Sequence, residues 1–211
     1  ELKQYLEERN YTFERTWIFD PILNDSLKNF YPSSKNISKK KQIIVYGRPS
    51  VQRNAFAILI AALKKWATMQ NDAQEWSVYS LGEAHDDIAL TDNLILRSKG
   101  KLSLEDYARF LLESYAGVSL MVSPHPSYPP LEMSAFGVKT ITNSYANKDL
   151  SDFSKNIISL HKCTPDTIAE RLVKIYTDYS GSGELDVSEK YVQNDSCFQA
   201  IGKEVAGSLL T

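Results

Sequence analysis

From residue 43 onward the chain alternates short, β-branched apolar runs with longer amphipathic segments, and this alternation restricts the fold more than any other feature. The runs are residues 43–46 (IIVY), 75–82 (EWSVYSLG), 93–98 (NLILRS), 117–122 (GVSLMV), 138–142 (VKTIT) and 157–160. A continuously apolar run is what a strand buried on both faces requires. Between the runs the period changes to that of a helix. Phe56, Leu59, Ile60 and Leu63 recur at helical spacing within 51–66, and Ser103 with Asp106 opens a helix whose face is Leu104, Tyr107, Ala108, Leu111, Leu112 and Tyr115. A last helix is expected over 166–178. Connections of this length cannot be hairpins, so the strands should form a parallel sheet covered on both faces, a doubly wound, Rossmann-like α/β fold.

The rest of the chain is read around that unit. Residues 2–9 suggest a short helix, and Tyr11, Phe13, Trp17 and Phe19 alternate as in a strand. Residues 31–42 (YPSSKNISKKKQ) read as a linker, with Lys39 to Lys41 as a solvated turn. The expected division is therefore an N-terminal segment with linker over 1–41, the α/β domain over 42–180, and a helical tail over 181–211 that packs on it. The 211 residues begin with Glu1 and no signal-like segment, so the chain is expected to be part of a longer protein.

Composition excludes some classes of partner. A formal charge of −2 offers no global field for nucleic acid. The longest apolar stretch, Ala55 to Leu63, falls short of the roughly 20 residues that cross a bilayer, so no membrane span is expected. Cys163 and Cys197 have neither metal-like nor disulfide-framework spacing, which fits two buried thiols in a reducing, cytoplasmic setting.

In doubly wound sheets ligands bind outside the carboxyl ends of the strands, which directs attention to residues 47–54, 82–87, 98–103 and 123–132. The first segment turns at Gly47 and carries two guanidiniums, Arg48 and Arg53, five positions apart. Such a pair suits phosphate oxygens, and equally suits ordinary surface contacts. The second contains His85, Asp86 and Asp87, which read as a polar loop because adjacent carboxylates in extended chain diverge. A GxGxxG turn and a P-loop are both absent from the sequence.

The fourth segment, SPHPSYPPLEMSAFG, is unusually rigid for a strand exit. Ser127 stands where a helix would be capped, and Tyr128, Pro129 and Pro130 fill the first turn, where proline's missing N–H is no loss. A phosphate there would use the amides of Ser127, Tyr128 and Leu131. Glu132 lies one turn in, suited to hydroxyls such as those of a ribose, or simply to the helix dipole. His125 could meet a sugar or leaving group, or be structural. Gly137 should end the helix.

Two of these segments carry a family resemblance. GRPSVQRN and SYPPLEMSAFGVKTITN resemble the donor-site segments of the retaining family 4 glycosyltransferases, and residues 43–178 resemble the C-terminal, nucleotide-sugar-binding half of their GT-B architecture. Within that group, VYGRP…RNAF, GKLSLEDYA, SLMVSPHPSYPPLEM and NKDL most resemble bacterial rhamnosyltransferases that use dTDP-rhamnose to build surface polysaccharide. The resemblance implies that Arg48 and Arg53 bind the donor diphosphate and that Glu132 binds its ribose. It also implies that residues 98–102, including Lys101 and Leu102, receive the base, largely through main chain. The family's first glutamate, eight residues before the second, falls on Pro124, which leaves His125 as the candidate facing the sugar. The expected catalytic set is His125, Arg48 and Arg53, with no metal or other cofactor. The glycan acceptor would be met by an N-terminal domain outside this chain, at the inner face of a membrane. A non-catalytic nucleotide-sugar-binding module and an α/β domain for another phosphorylated ligand are the competing readings.

Overall fold

The run beginning at Ile43 lies at the centre of the molecule. A computed structural model describes residues 2–18, 20–125, 127–193 and 198–209. Two short helices, α1 (Leu2–Glu7) and α2 (Asp25–Lys28), precede β1 (Asn36–Ser38) and β2 (Lys40–Gly47). Then come α3 (Phe56–Met69), β3 (Ser77–Gly82), β4 (Ile88–Thr91), β5 (Leu94–Gly100), α4 (Leu104–Glu113) and β6 (Ser114–Val118). The remainder is α5 (Tyr128–Ala135), β7 (Lys139–Asn143), β8 (Ile157–Leu160), α6 (Pro165–Thr177), β9 (Ser182–Glu184), α7 (Glu189–Gln193) and α8 (Phe198–Leu209).

Seven strands form one sheet in the order β4-β5-β3-β2-β6-β7-β8, parallel throughout except for β4, which pairs antiparallel with β5 at the edge. Alternation along each strand divides the core in two. Ile43, Val45, Val78 and Val118 face α3 and α6, where Leu59, Leu63, Trp66, Ile168 and Leu172 are buried. Ile44 and Leu81 face the other side, against Leu111 of α4 and Leu131 and Met133 of α5. Gly117 lets α5 lie close to β6, because a Cβ there would fall 2.9 Å from Met133 Sδ. The sheet is doubly wound, as expected. The chain builds outward from β2 through β3 to β5, then crosses back through α4 to β6 on the other side of β2. The strand order therefore reverses between β2 and β6, where a ligand crevice is expected.

Several expectations are corrected. Residues 11–18 form no strand, and Tyr11, Phe13 and Ile18 are exposed; Phe19 lies outside the described residues. Alternation alone does not make a strand without a neighbour to pair with. The presumed linker 31–42 carries β1, which pairs antiparallel with β9, and the first core strand begins at Lys40. Lys39 is not a solvated turn residue: it is 3% exposed. Directly after the polar loop, where no strand is expected from the sequence, Ile88–Thr91 form the edge strand β4. Helix α4 stops at Glu113, so Ser114 and Tyr115 open β6 and the run 119–122 is its exit. The C-terminal tail is not wholly helical, since it opens with β9; it is anchored by the buried Tyr191, whose carbonyl accepts from the Leu23 amide at 2.8 Å. Cys163 is half-buried, and Cys197 lies outside the described residues. Gly137 ends α5 with φ at +74°, the left-handed conformation that glycine tolerates best.

Candidate functional site

The exits of β2 and β6 are tied to each other. The Val122 amide donates to the Arg53 carbonyl at 2.7 Å, and Asn54 Nδ2 donates to the Leu120 carbonyl at 3.0 Å. From the other side, Asn143 at the end of β7 accepts from the Met121 amide at 2.7 Å. The Met121 carbonyl accepts from Asn143 Nδ2 at 3.1 Å and from the buried Lys148 Nζ at 2.7 Å. A segment without regular structure is thus held from both sides, which fixes where α5 starts.

At the β2 exit glycine is required for space. A Cβ on Gly47 would meet Ser80 Oγ at 2.1 Å and the Phe56 ring at 2.9 Å, so these side chains can pack over the strand exit only without one. A 3₁₀ turn over Gln52–Asn54 follows and ends at Ala55, whose φ of +48° costs a non-glycine residue about 1 kcal/mol. The interstrand bonds from Arg53 and Asn54 help hold that strained turn. Arg48 is half-buried and Arg53 exposed, and neither guanidinium has an ion-pair partner among the described residues.

α3, α4, α5 and α6 each follow a parallel strand of the sheet in the chain, so their N-termini lie towards its carboxyl edge. Two of these ends are closed by side chains. Ser103 Oγ accepts from the Asp106 amide at the start of α4, and Thr164 with Thr167 forms a capping box on α6. The starts of α3 and α5, which flank the β2–β6 crevice, have no side-chain cap. Ser127 occupies the cap position of α5, yet among the described residues its buried Oγ has no partner and bonds no amide. Leu131 is buried as core; Tyr128 is exposed at the helix start. His125 is exposed, and its amide donates to Ser123 Oγ at 3.2 Å; Pro124 is half-buried beside it.

Glu132 is half-buried and accepts from the Tyr107 hydroxyl at 3.0 Å. Burial pushes its carboxyl above the usual range, and the Tyr107 bond opposes that shift. Tyr107 stands on α4, directly after the segment 98–102 in which Lys101 is exposed and Leu102 half-buried. Its phenol therefore connects that segment's helix to α5. The polar groups of the loop 82–87 are tied to neighbouring strand ends, and Glu83 accepts from the Ser50 hydroxyl at 2.8 Å. His85 Nε2 lies 2.8 Å from Ser80 Oγ, His85 Nδ1 lies 2.7 Å from the Asp86 carbonyl, and Asp87 accepts from the Ser98 amide at 2.8 Å. Among the described residues no group of three His, Cys, Asp or Glu side chains gathers as a metal site would need. A hollow of about 300 Å³ lies beside α4, lined by Lys99, Leu102, Asp106, Arg109, Phe110 and Glu113, and includes neither arginine of the crevice.

The structure thus joins Gly47, Arg48 and Arg53 to the segment ending in Ser127, Tyr128 and Glu132, and links Glu132 through Tyr107 to the region of Lys101 and Leu102. Asn54, Asn143, Lys148 and Tyr107 were not foreseen. Tyr107 carried a signal, since a tyrosine on an apolar helix face needs an acceptor for its hydroxyl. Nothing in the linear pattern marks the other three as binding one loop.

Residues 41–173 match the family described as "WsaF, C-terminal domain". The chain belongs to this family. It is also 31% identical over 160 residues, 75% of its own length, to the O-antigen biosynthesis protein RfbC of Myxococcus xanthus, and this match spans 12% of that protein. Among solved structures, TarM aligns with a TM-score of 0.61 and 13% identity over 86% of this chain and 40% of its own. The sucrose-phosphate synthase of Thermosynechococcus elongatus aligns at 0.61 and 15%, over 84% and 47%. WaaG, a glycosyltransferase involved in lipopolysaccharide biosynthesis, aligns at 0.58 and 14%, over 84% and 51%. These likenesses establish the fold, a mixed α/β unit with a mostly parallel sheet of the kind found in one half of GT-B enzymes. The chain spans about half the length of those structures or less, and a small part of RfbC. Among the described residues no helix is long and apolar enough to cross a membrane.

Proposed function

We propose that this chain is the donor-binding domain of a glycosyltransferase that moves a hexose, L-rhamnose in the most specific form of the reading, from dTDP to a growing surface polysaccharide. The observation that carries it is the pairing of two guanidiniums without an ion-pair partner among the described residues with an uncapped helix start across the β2–β6 crevice. Positive charge left uncompensated beside free amides favours an anion with several oxygens. The names of RfbC and WaaG, which refer to O-antigen and lipopolysaccharide biosynthesis, support the polysaccharide assignment.

In this reading Arg48, Arg53 and the amides at Ser127 and Tyr128 hold the diphosphate, Glu132 holds the pentose, and residues 98–102 receive the base. The bond between the anomeric carbon and the diphosphate oxygen breaks, and its electron pair stays on the diphosphate, where the arginines stabilise it. The acceptor hydroxyl forms the new bond and gives its proton to a base. With arginines in this role, no divalent metal is needed for the leaving group. His125 would face the transferred sugar. The acceptor site belongs to an N-terminal domain outside this chain, so the chain alone binds donor and transfers little. The whole protein would work in the cytoplasm, peripherally associated with the membrane.

Pro124 favours one alternative, a nucleotide-sugar-binding module without transferase activity, because it stands where the family's sugar-contacting glutamate is expected. Transfer of labelled sugar by the full-length protein separates the two. Arg48→Ala should raise the dissociation constant of a nucleoside diphosphate about tenfold while leaving nucleoside binding unchanged, whereas Glu132→Ala weakens both. Equal effects of Arg48→Ala on nucleoside and diphosphate, measured by calorimetry, would refute the assignment.

A further inference from the structure

One face of β5 is left open. Leu94 and Leu96 point into the core, whereas Ile95, Arg97 and Lys99 alternate with them and are exposed. The chain passes from β3 to β5 through the strand β4, with no helix between them. Register sets Ala89 of β4 beside Ile95 and Tyr79 of β3 beside Arg97. A hollow of about 210 Å³ lies on this face, with Gln74, Trp76, Tyr79, Asn93, Ile95 and Arg97 among its walls. The larger hollow beside α4 continues it past Lys99, whose Nζ stands 5.2 Å from the centre of the Tyr79 ring. Phe110 of α4 meets that ring edge-on, with centroids 5.1 Å apart. From Ile95 to Lys99 the strand rises about 13 Å, which suits an extended ligand.

We propose that this open face of β5 binds a neutral glycan, a stretch of the polysaccharide under construction, at a site separate from the donor crevice. The charges along it are already balanced: Arg97 pairs with Asp87 at 3.6 Å, Arg109 with Asp106 at 3.5 Å, and Glu113 with Lys40 at 2.7 Å. An anion would meet Asp106 and Glu113, and a cation would meet Arg97, Lys99 and Arg109. An apolar segment would take all of them out of water without replacing their hydrogen bonds. A hydroxyl both donates and accepts, so it can pair with the arginine and lysine, with the carboxylates, and with the amides of Gln74 and Asn93. The C–H faces of sugar rings meanwhile find Ile95, which is 42% exposed, and the aromatic walls. The choice of a glycan rests on the reading of the protein as a builder of surface polysaccharide.

The test is an NMR titration of the isotope-labelled 211-residue chain with linear trisaccharides of L-rhamnose, D-glucose and N-acetylglucosamine. At least one should move the amide signals of Tyr79 and residues 93–99 saturably, with a dissociation constant on the order of 1 mM, and leave those of Arg48 and Arg53 in place. Arg97→Ala should weaken that binding about tenfold and Asn93→Ala about fivefold, while thymidine 5′-diphosphate binds both variants as it binds the unmodified chain. Trisaccharides that leave β5 unmoved, or that move the crevice instead, would overturn the proposal. So would a hexaglutamate peptide that binds β5 more tightly than every sugar, since it would mark the face as one for an acidic protein. Thymidine 5′-diphosphate, titrated alone, keeps the two readings apart. If it moves the signals of Arg48 and Arg53 while no sugar touches β5, only this inference fails; if it moves nothing, the donor-site reading fails on its own account.

Discussion

The two edges of the central sheet handle positive charge in opposite ways. At the amino edge, Lys39 is buried and its Nζ donates to the carbonyls of Leu111 and Phe136 at 2.7 Å each. Those carbonyls end α4 and α5, where helices present oxygens without intrahelical partners. Ser114 Oγ serves the Phe110 carbonyl and Asn156 Nδ2 the Ser134 carbonyl, so this edge is closed by its own side chains. At the carboxyl edge, Arg48 and Arg53 lie beside uncapped helix starts, which adds positive charge to the positive ends of dipoles. That arrangement is unfavourable unless an anion completes it. One edge uses its lysine to hold the fold together, and at the other, in the function proposed above, the two arginines would serve a ligand.

The comparison breaks first at Lys39. Lys39→Met leaves two buried carbonyls without donors and should cost about 3 kcal/mol, read as a fall in Tm of roughly 6–12 °C. The pH dependence has a definite sign. Burial lowers the Lys39 amine from its ordinary 10.5 to about 7. Between those values the unfolded chain binds the extra proton, so stability rises with pH over that window. Urea titrations at pH 7.5 and 9.5 should show this rise in the unmodified protein and its loss in Lys39→Met. A neutral amine keeps two N–H donors, one for each carbonyl, so deprotonation need not break the contact.

Lys148 tests whether burial or position decides a cation's role, because it lies at the carboxyl edge but is buried against the Met121 carbonyl. Lys148→Met should cost about 2 kcal/mol, less than Lys39→Met, since Asn143 Nδ2 still serves that carbonyl. A cost near zero in urea unfolding would show that the loop does not depend on it. The smallest effect on folding belongs to Arg53→Ala, whose exposed side chain should change stability by less than about 0.5 kcal/mol. The same change should weaken nucleoside diphosphate binding about tenfold at low salt and less at high salt. An arginine that proved important for folding instead would erase the contrast between the edges.

The doubly wound sheet was legible because its signal is repeated. Each buried strand and each helix face imposes its own period, and an error of a few residues, as at the α4–β6 boundary, leaves the topology intact. The edge strand β4 was missed because one face of it is wet and its residues read as a loop. The aromatic alternation of residues 11–18 misled for the opposite reason, since a strand exists only where another strand accepts its hydrogen bonds. Glu132 and the two arginines were legible as candidates because strand exits are few and the residue types are suited to phosphate and sugar.

What the sequence determined by itself is therefore the succession of the parallel strands and the helices between them, the carboxyl edge as the place for a ligand, the rigid proline-rich start of α5 and the residue types near it. What only the tertiary structure decided is which polar groups are already committed. Lys39 reads as solvated and is buried, Ser127 reads as a cap and bonds no amide, and Glu132 reads as a free carboxylate but shares an oxygen with Tyr107. The physical reason is range. Periodicity is set by neighbours along the chain, whereas the partner of a hydrogen bond is set by packing between residues as distant as Lys39 and Phe136, and no linear pattern carries that information.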